Sequence, residues 1–247
     1  SNLKPLEYYN DNVSCIMSLL RAMQRTGVRS LVHLSSLMVY AQSSLDLNEE
    51  IAFNYSYPNP YIKSQQMIEE IIKDTFRTDQ EWKIATLRVS NVVGAFEHGV
   101  LGEFVTPLPK NIVPLALQVA AQQRDLIEVH RHANTQDKTT ERSFVHVLDV
   151  CDAIQSSIYW LQEQNNVCES FDISGTVSSI QDLINTIEDV TAQQIHQIDA
   201  VYQIHELDQV ASNSHKALDV LKWEAKRSLK QMIQDEWRFY QNTLNNC

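Results

Sequence analysis

Two apolar periods alternate through the first half of the chain. Between residues 10 and 23 apolar side chains fall at Val13, Ile16, Leu19, Leu20 and Met23, which is helical spacing, and Gly27 supplies a stop. Residues 31–35 form a short apolar run that reads as a buried strand. Pro58 and Pro60 break the chain before a second helix, with Met67, Ile68, Ile71 and Ile72 on one face. Residues 83–89 read as the next strand. Strand, crossover helix and strand predict an α/β fold: a parallel sheet with helices outside it.

The second half is less regular. Pro107, Pro109 and Pro114 mark a loop leading into a helix through Gln118. Residues 126–129 and 144–147 are short strand candidates, separated by a polar stretch at 130–141 that reads as an exposed loop. Helical spacing returns at 150–161, again at Ile180, Leu183, Ile184 and Ile187, and in a tail at 229–240 with Met232, Ile233 and Trp237 inward. No repeat, low-complexity tract or long linker interrupts the pattern.

Composition narrows the function. A chain of 247 residues can bury a substantial core in one or two domains. It holds five glycines, where average usage would give about 17. That argues against glycine-rich phosphate loops. The net charge of −11, with no Lys/Arg cluster, argues against nucleic acid or an anionic membrane as partner. A few local arginines would still suffice for a small anionic ligand. Cys15, Cys151, Cys168 and Cys247 are widely spaced, without a C-x-x-C pair, so free thiols and no metal site are expected. No 18-residue apolar run exists, and residues 1–5 lack a signal peptide's apolar core, so the expectation is a cytoplasmic protein.

One spacing carries candidate chemistry. Ser36 ends the apolar run Leu31-Val32-His33-Leu34-Ser35-Ser36, and Tyr61 follows 25 residues later in Asn59-Pro60-Tyr61-Ile62-Lys63-Ser64-Gln65. A serine at a strand end and a Tyr-x-x-x-Lys opening a helix form the proton relay of short-chain dehydrogenases and reductases. The tyrosine must accept a proton as hydride leaves a sugar carbon, and a free phenol with a pKa of about 10 is a poor base at neutral pH. A lysine one turn on supplies positive charge that lowers that pKa, and the serine hydroxyl aligns the reacting group. Here the fourth residue after Tyr61 is Gln65, which brings no charge. Lys63, two residues on, points away from Tyr61 round the helix.

The wider sequence resembles the UDP-glucose 4-epimerases. The segment at 4–13 (Lys-Pro-Leu-Glu-Tyr-Tyr-Asn-Asp-Asn-Val) resembles their first helix start. Leu34-Ser35-Ser36 with Val39-Tyr40 is similar to their Ser-Ser-Ser-x-x-Val-Tyr. Asn59-Pro60-Tyr61 resembles their Tyr-x-x-x-Lys entry, and Met67-Ile68-Glu69-Glu70-Ile71 and Trp82-Lys83-Ile84-Ala85 continue the match. Asn91-Val92-Val93-Gly94-Ala95 resembles Asn-Pro-Val-Gly-Ala. Pro109-Lys110-Asn111-Ile112-Val113-Pro114 and Gln118-Val119-Ala120 follow in order. Arg142 with Val145-His146-Val147 and Asp149, then Lys216-Ala217-Leu218 with Leu221 and Trp223, complete a match over nearly the whole chain.

That family is the extended branch of the short-chain dehydrogenases, also described as NAD-dependent epimerases/dehydratases. Its members bind NAD on a Rossmann sheet and a nucleotide sugar on a smaller domain. They oxidise the sugar at carbon 4, turn it and reduce it from the other face. The resemblance implies a Rossmann-like portion at residues 1–95 and a mostly substrate-binding portion at 96–247 with returning Rossmann segments. It places Ser36 and Tyr61 at the catalytic positions, Asp11, Tyr61 and Ser90 at cofactor positions, and Ser36, Asn91, Asn111, His130 and Arg142 at UDP-hexose positions. It implies dimerisation through the helices at 10–23 and 61–75, either as a homodimer or with an intact paralogue.

The departures all remove charge or shape. The family's Gly-x-x-Gly-x-x-Gly loop, where backbone N–H groups approach a pyrophosphate, has no counterpart among Gly27, Gly94, Gly99, Gly102 and Gly175. By resemblance that loop and three strands would precede this sequence, so the strand at 31–35 is expected to present an open apolar edge, and NAD is not expected to be retained by this chain alone. Gln65 replaces the lysine, Asp11 an asparagine, Val89-Ser90 a Tyr-Phe pair, and Ser143 an aspartate. Near Val201-Tyr202-Gln203-Ile204 the family's diphosphate arginines are lost, although Glu206 can keep the following acid. Two readings stand: an NAD-dependent nucleotide-sugar 4-epimerase with impaired catalysis, and a non-catalytic pseudoenzyme that pairs with or regulates an intact epimerase. A nucleotide-sugar dehydratase would need an acid pair beside the serine, where Leu37-Met38 are apolar.

Overall fold

The computed structural model describes residues 4–96, 99–103, 109, 111–200 and 206–245. In chain order the helices are α1 (Pro5–Tyr9), α2 (Cys15–Thr26), α3 (Pro60–Thr78), α4 (Ile112–Ala120), α5 (Val147–Gln162), α6 (Ile180–Thr191) and α7 (Leu229–Asn245). The strands are β1 (Ser30–Ser36), β2 (Ser44–Leu47), β3 (Lys83–Val89), β4 (Asn91–Val93), β5 (Ile127–Val129), β6 (Glu141–His146), β7 (Val167–Ile173), β8 (Thr176–Ser179), β9 (Gln197–Asp199) and β10 (Gln209–Ser212). The chain packs as two compact units, each assembled from three stretches. One holds Ser1–Val89, Asp152–Ile173 and Ser212–Glu224; the other holds Ser90–Cys151, Ser174–Ala211 and Ala225–Cys247.

The first unit is built on a parallel three-stranded sheet in the order β1-β3-β7, with Ser36 opposite Val89 and Val89 opposite Ile173. β3 is central, and all but its first residue are buried. β1 is an edge strand, and Leu34 on it is 48% exposed. Ile16, Leu20 and Met23 of α2 and Ile68 and Ile72 of α3 pack with Trp82 and Ile84 into one apolar cluster. Gly27 ends α2 with φ +74°, the left-handed cap that glycine adopts without strain. Between α1 and α2 the chain makes a π-helical turn, Asn10–Ser14, so helical structure begins at Pro5 rather than Asn10.

Period places most of the inner face of α3: Ile68 and Ile72 are buried and Ile71 packs beside them. Met67, expected inward, is 46% exposed. Beside Ile68 and Ile72 the buried face carries Ile62, Ser64, Gln66 and Glu69. Glu69 is there because β3 presents Arg88 to it. Arg88 Nη2 donates to Glu69 Oε2 at 2.8 Å and Nε to both carboxylate oxygens at 3.1 and 3.2 Å. Arg88 Nη1 also donates to the Tyr40 hydroxyl, which donates to Asp172 on β7 at 2.8 Å. Ser35 Oγ donates to Glu69 Oε1 at 2.7 Å, closing the network. Burial first, and Glu49 second, push the Asp172 carboxyl up to about 7.

In the second unit β4 and β10 flank β6 in parallel, and β8 pairs antiparallel to β6. A separate parallel pair joins β5 to β9. One core gathers Val113, Ala116, Leu117 and Ala120 of α4, Leu183, Ile184 and Ile187 of α6, and Met232 and Ile233 of α7. The strand expected at 144–147 starts earlier and stops at His146. There the Leu148 N–H donates to His146 Nδ1 and opens α5, three residues before the expected start. Since Nδ1 accepts, the ring proton sits on Nε2, 3.3 Å from Asp235 Oδ2. Pro114 lies inside the first turn of α4 rather than in the loop, where a missing N–H costs little. Pro107, Lys110 and residues 201–204 lie outside the described residues.

Candidate functional site

In the first unit, Ser36 and Tyr61 each sit at the end of an element. Ser36 closes β1 in an extended conformation, and its Oγ accepts the Met38 N–H at 3.2 Å, leaving its own proton available to donate. Tyr61 opens α3 behind Pro60. The Asn59 side chain accepts from the Tyr61 and Ile62 N–H groups at 3.0 and 3.2 Å, a cap that fixes where the helix begins. The Tyr8 ring stands edge-on to Tyr61 with centroids 6.3 Å apart. Asn12 in the π turn donates to Ser64 Oγ at 2.9 Å, and Ser64 donates to the Tyr61 carbonyl at 2.7 Å. Gln65, one turn on, has a buried Oε1 with no hydrogen-bond partner among the described residues. Asp11 is exposed, its carboxylate 3.2 Å from the Asn10 amide nitrogen.

In the second unit a cleft of about 490 Å³ brings together Asn91 from the start of β4, His130 after β5 and Arg142 on β6. Ile112, Leu115, Leu126, Ile127, Val129 and Ile180 give it an apolar floor. Arg142 is fixed by the chain that leads into β10. It donates to the carbonyls of Leu207 at 2.6 Å and Asp208 at 3.2 Å, with Glu206 at 3.5 Å. His130 Nδ1 is buried with no partner among the described residues. Arg124, which the sequence pattern did not single out, lines the same cleft and donates from Nε to Gln118 at 3.1 Å. It lies in a polar turn with no periodic signal, and only the fold brings it beside Arg142. Two guanidiniums over an apolar floor suit a ligand with a flat base and an anionic linker.

The structure does not gather every candidate into that cleft. Asn111 lines a second cavity, with Val92, Gly94 and Glu236. Ser90, between β3 and β4, has a buried Oγ with no partner among the described residues. Ser143, at the family's aspartate position, serves the fold: it accepts from Ser174 Oγ at 2.7 Å and the Gly175 N–H at 2.9 Å. Asp149 is fully buried and accepts from the backbone N–H groups of Lys226 and Arg227, and from the Arg227 guanidinium.

The described glycines do not form a pyrophosphate cradle for NAD. A Cβ on Gly94 would meet His146, on Gly99 or Gly102 it would meet Phe239, and on Gly175 it would meet the Phe144 carbonyl. These glycines allow close approach of the chain to itself. Gly27 faces open space but caps a helix C-terminus, where the dipole repels anions.

Residues 1–168 match the family described as NAD dependent epimerase/dehydratase. UDP-glucose 4-epimerase 2 of Arabidopsis thaliana is 32% identical over 242 residues, covering 97% of this chain and 69% of the relative. UDP-glucose 4-epimerase 2 of Oryza sativa subsp. japonica is 32% identical, and the match spans 96% of this chain and 58% of that protein. Among solved structures, the UDP-glucose 4-epimerase of Stenotrophomonas maltophila, with bound NAD and formylated UDP-arabinopyranose, superposes with a TM-score of 0.92 at 28% identity, covering 98% of this chain and 72% of that one. The enzyme from Bifidobacterium longum, in complex with NAD+ and UDP, gives 0.93 at 25% identity, covering 99% and 73%. The chain therefore belongs to the NAD-dependent epimerase/dehydratase family, as a relative of the UDP-glucose 4-epimerases.

Proposed function

We propose that this chain binds a UDP-hexose in the cleft of Asn91, Arg124, His130 and Arg142, and that its 4-epimerase chemistry is impaired. The binding half of the reading is supported by the apolar floor and the two guanidiniums. The impairment rests on Gln65. At the position where the family's lysine would place positive charge behind Tyr61, it offers a neutral amide. Ser36 ends β1 and Tyr61 opens α3, and on this reading the charge that would activate the phenol is missing. Asp11 works in the same direction, since its carboxylate opposes a pyrophosphate nearby.

The test is a pair of measurements on one preparation. Calorimetric titration with UDP is expected to give saturable binding, weakened about 10-fold or more by Arg142→Ala, the range expected for a lost charge-assisted hydrogen bond. Conversion of UDP-galactose to UDP-glucose with NAD supplied is expected to be undetectable. Turnover at a rate ordinary for an enzyme, about 1 per second or faster, refutes the impairment. Absence of UDP binding refutes the cleft.

A second reading, a non-catalytic partner of itself or of an intact paralogue, is favoured by one observation. Leu19 on α2 and Met67 on α3 are 45% and 46% exposed, on the helices that the resemblance assigns to dimerisation. Sedimentation at increasing concentration is expected to show a dimer, and Leu19→Glu with Met67→Glu to abolish it.

A further inference from the structure

The second cavity of the second unit has a volume of about 540 Å³. That lies within the roughly 300–1,000 Å³ of small-molecule sites. Val93, Phe96, Leu101, Val147 and Leu148 form apolar walls. Glu236 on α7 stands among them, only 6% exposed. Its Oε2 accepts the Gly94 N–H at 2.8 Å, and no cation pairs with it among the described residues. Gly94 is held in place to make that bond: its φ is +96°, and a Cβ there would come 2.6 Å from His146 Nε2. One backbone donor does not replace the hydration of a buried carboxylate. Burial accordingly pushes the Glu236 carboxyl up to about 7, against the Gly94 N–H and with help from Glu103. Glu103 lines the same cavity. The described lining thus holds two carboxyls, the Asn111 amide and the Cys151 thiol, and no cationic side chain.

We propose that this cavity binds a small organic amine, its ammonium group on Glu236 and Glu103 and its apolar body among Val93, Phe96, Leu101 and Leu148. An ammonium supplies the positive charge and the N–H donors that the buried carboxylate lacks. An anion would meet two acids, and a purely apolar ligand would leave the carboxylate uncompensated. The cavity shares no lining residue with the cleft of Arg124 and Arg142.

The probe is 2-phenylethylamine, titrated calorimetrically into the full chain, with alkylation of Cys151 followed by peptide mass mapping. Saturable binding that shields Cys151 is expected. Glu236→Gln keeps an acceptor for the Gly94 N–H but loses the charge, and is expected to weaken the amine about 10- to 100-fold. Should that variant fail to fold, Cys151→Phe, placed on the cavity wall at an exposed position, is expected to block the amine by bulk. UDP is expected to bind amine-loaded and amine-free protein equally. The proposal is overturned by no saturable binding, by equal affinity in Glu236→Gln or Cys151→Phe, or by competition between the amine and UDP.

Discussion

Removing one member of the buried Glu69–Arg88 pair should cost more than removing both. The two side chains are 1% and 4% exposed, and three N–H···O contacts of 2.8 to 3.2 Å join them. Arg88 also lies 4.9 Å from the Tyr40 ring centre and 4.8 Å from that of Phe53. Glu69→Gln preserves shape and an acceptor for Ser35 but leaves a guanidinium buried beside a neutral amide. Breaking such a pair costs about 3–5 kcal/mol, because the remaining charge keeps its desolvation penalty and loses its compensation. Arg88→Met alone leaves the carboxylate in the same position. Glu69→Leu combined with Arg88→Met removes both charges, and its cost should fall well below the sum of the two single losses. The assay is urea unfolding followed by tryptophan fluorescence, to which Trp82 in the same unit contributes, for parent, singles and double in one cycle. A single loss under about 1 kcal/mol, or additive losses, would show that the network is not the electrostatic anchor of this sheet.

Three further outcomes are expected. Gly94→Ala should destabilise the second unit by more than about 2 kcal/mol, because a φ of +96°, strained for alanine, coincides with a Cβ 2.6 Å from His146; thermal unfolding monitored at Trp237 reads it, and an unchanged melting point contradicts it. Asp172 has a folded pKa of about 7 against an ordinary 3.8, so folding takes up a proton between those values. The stability this adds is fully present below about 3.8 and is lost as pH rises through about 7; the parent's advantage over Asp172→Asn in urea unfolding should shrink across that window, and a constant difference would contradict the assignment. Gln65→Lys alone is expected to leave UDP-galactose conversion undetectable with NAD supplied, since the described glycines still form no cradle for the pyrophosphate; measurable turnover by that variant would count against the reading.

Much of this protein is written in local pattern. The helical period at Val13, Ile16 and Leu20, the cap at Gly27, the strand at Lys83–Val89 and the amphipathic helices α6 and α7 follow from apolar spacing and turn chemistry, which depend on neighbours a few residues away. The resemblance singled out Asn91, His130 and Arg142 among other positions, and these three line one cleft. Other features required the tertiary structure. β7 carries Glu169, Ser170 and Asp172 in its run and shows no clean period, yet it is a strand because β3 offers it a full ladder. No local pattern pairs Glu69 with Arg88; packing sets them face to face. Arg124 joins Arg142, Asn111 parts from Asn91, and Glu236 enters an apolar cavity only when segments far apart in the chain are folded together. Period and capping are decided by short-range sterics and hydrogen bonding. Which charge is buried, and beside what, is decided by long-range contacts that no local window contains.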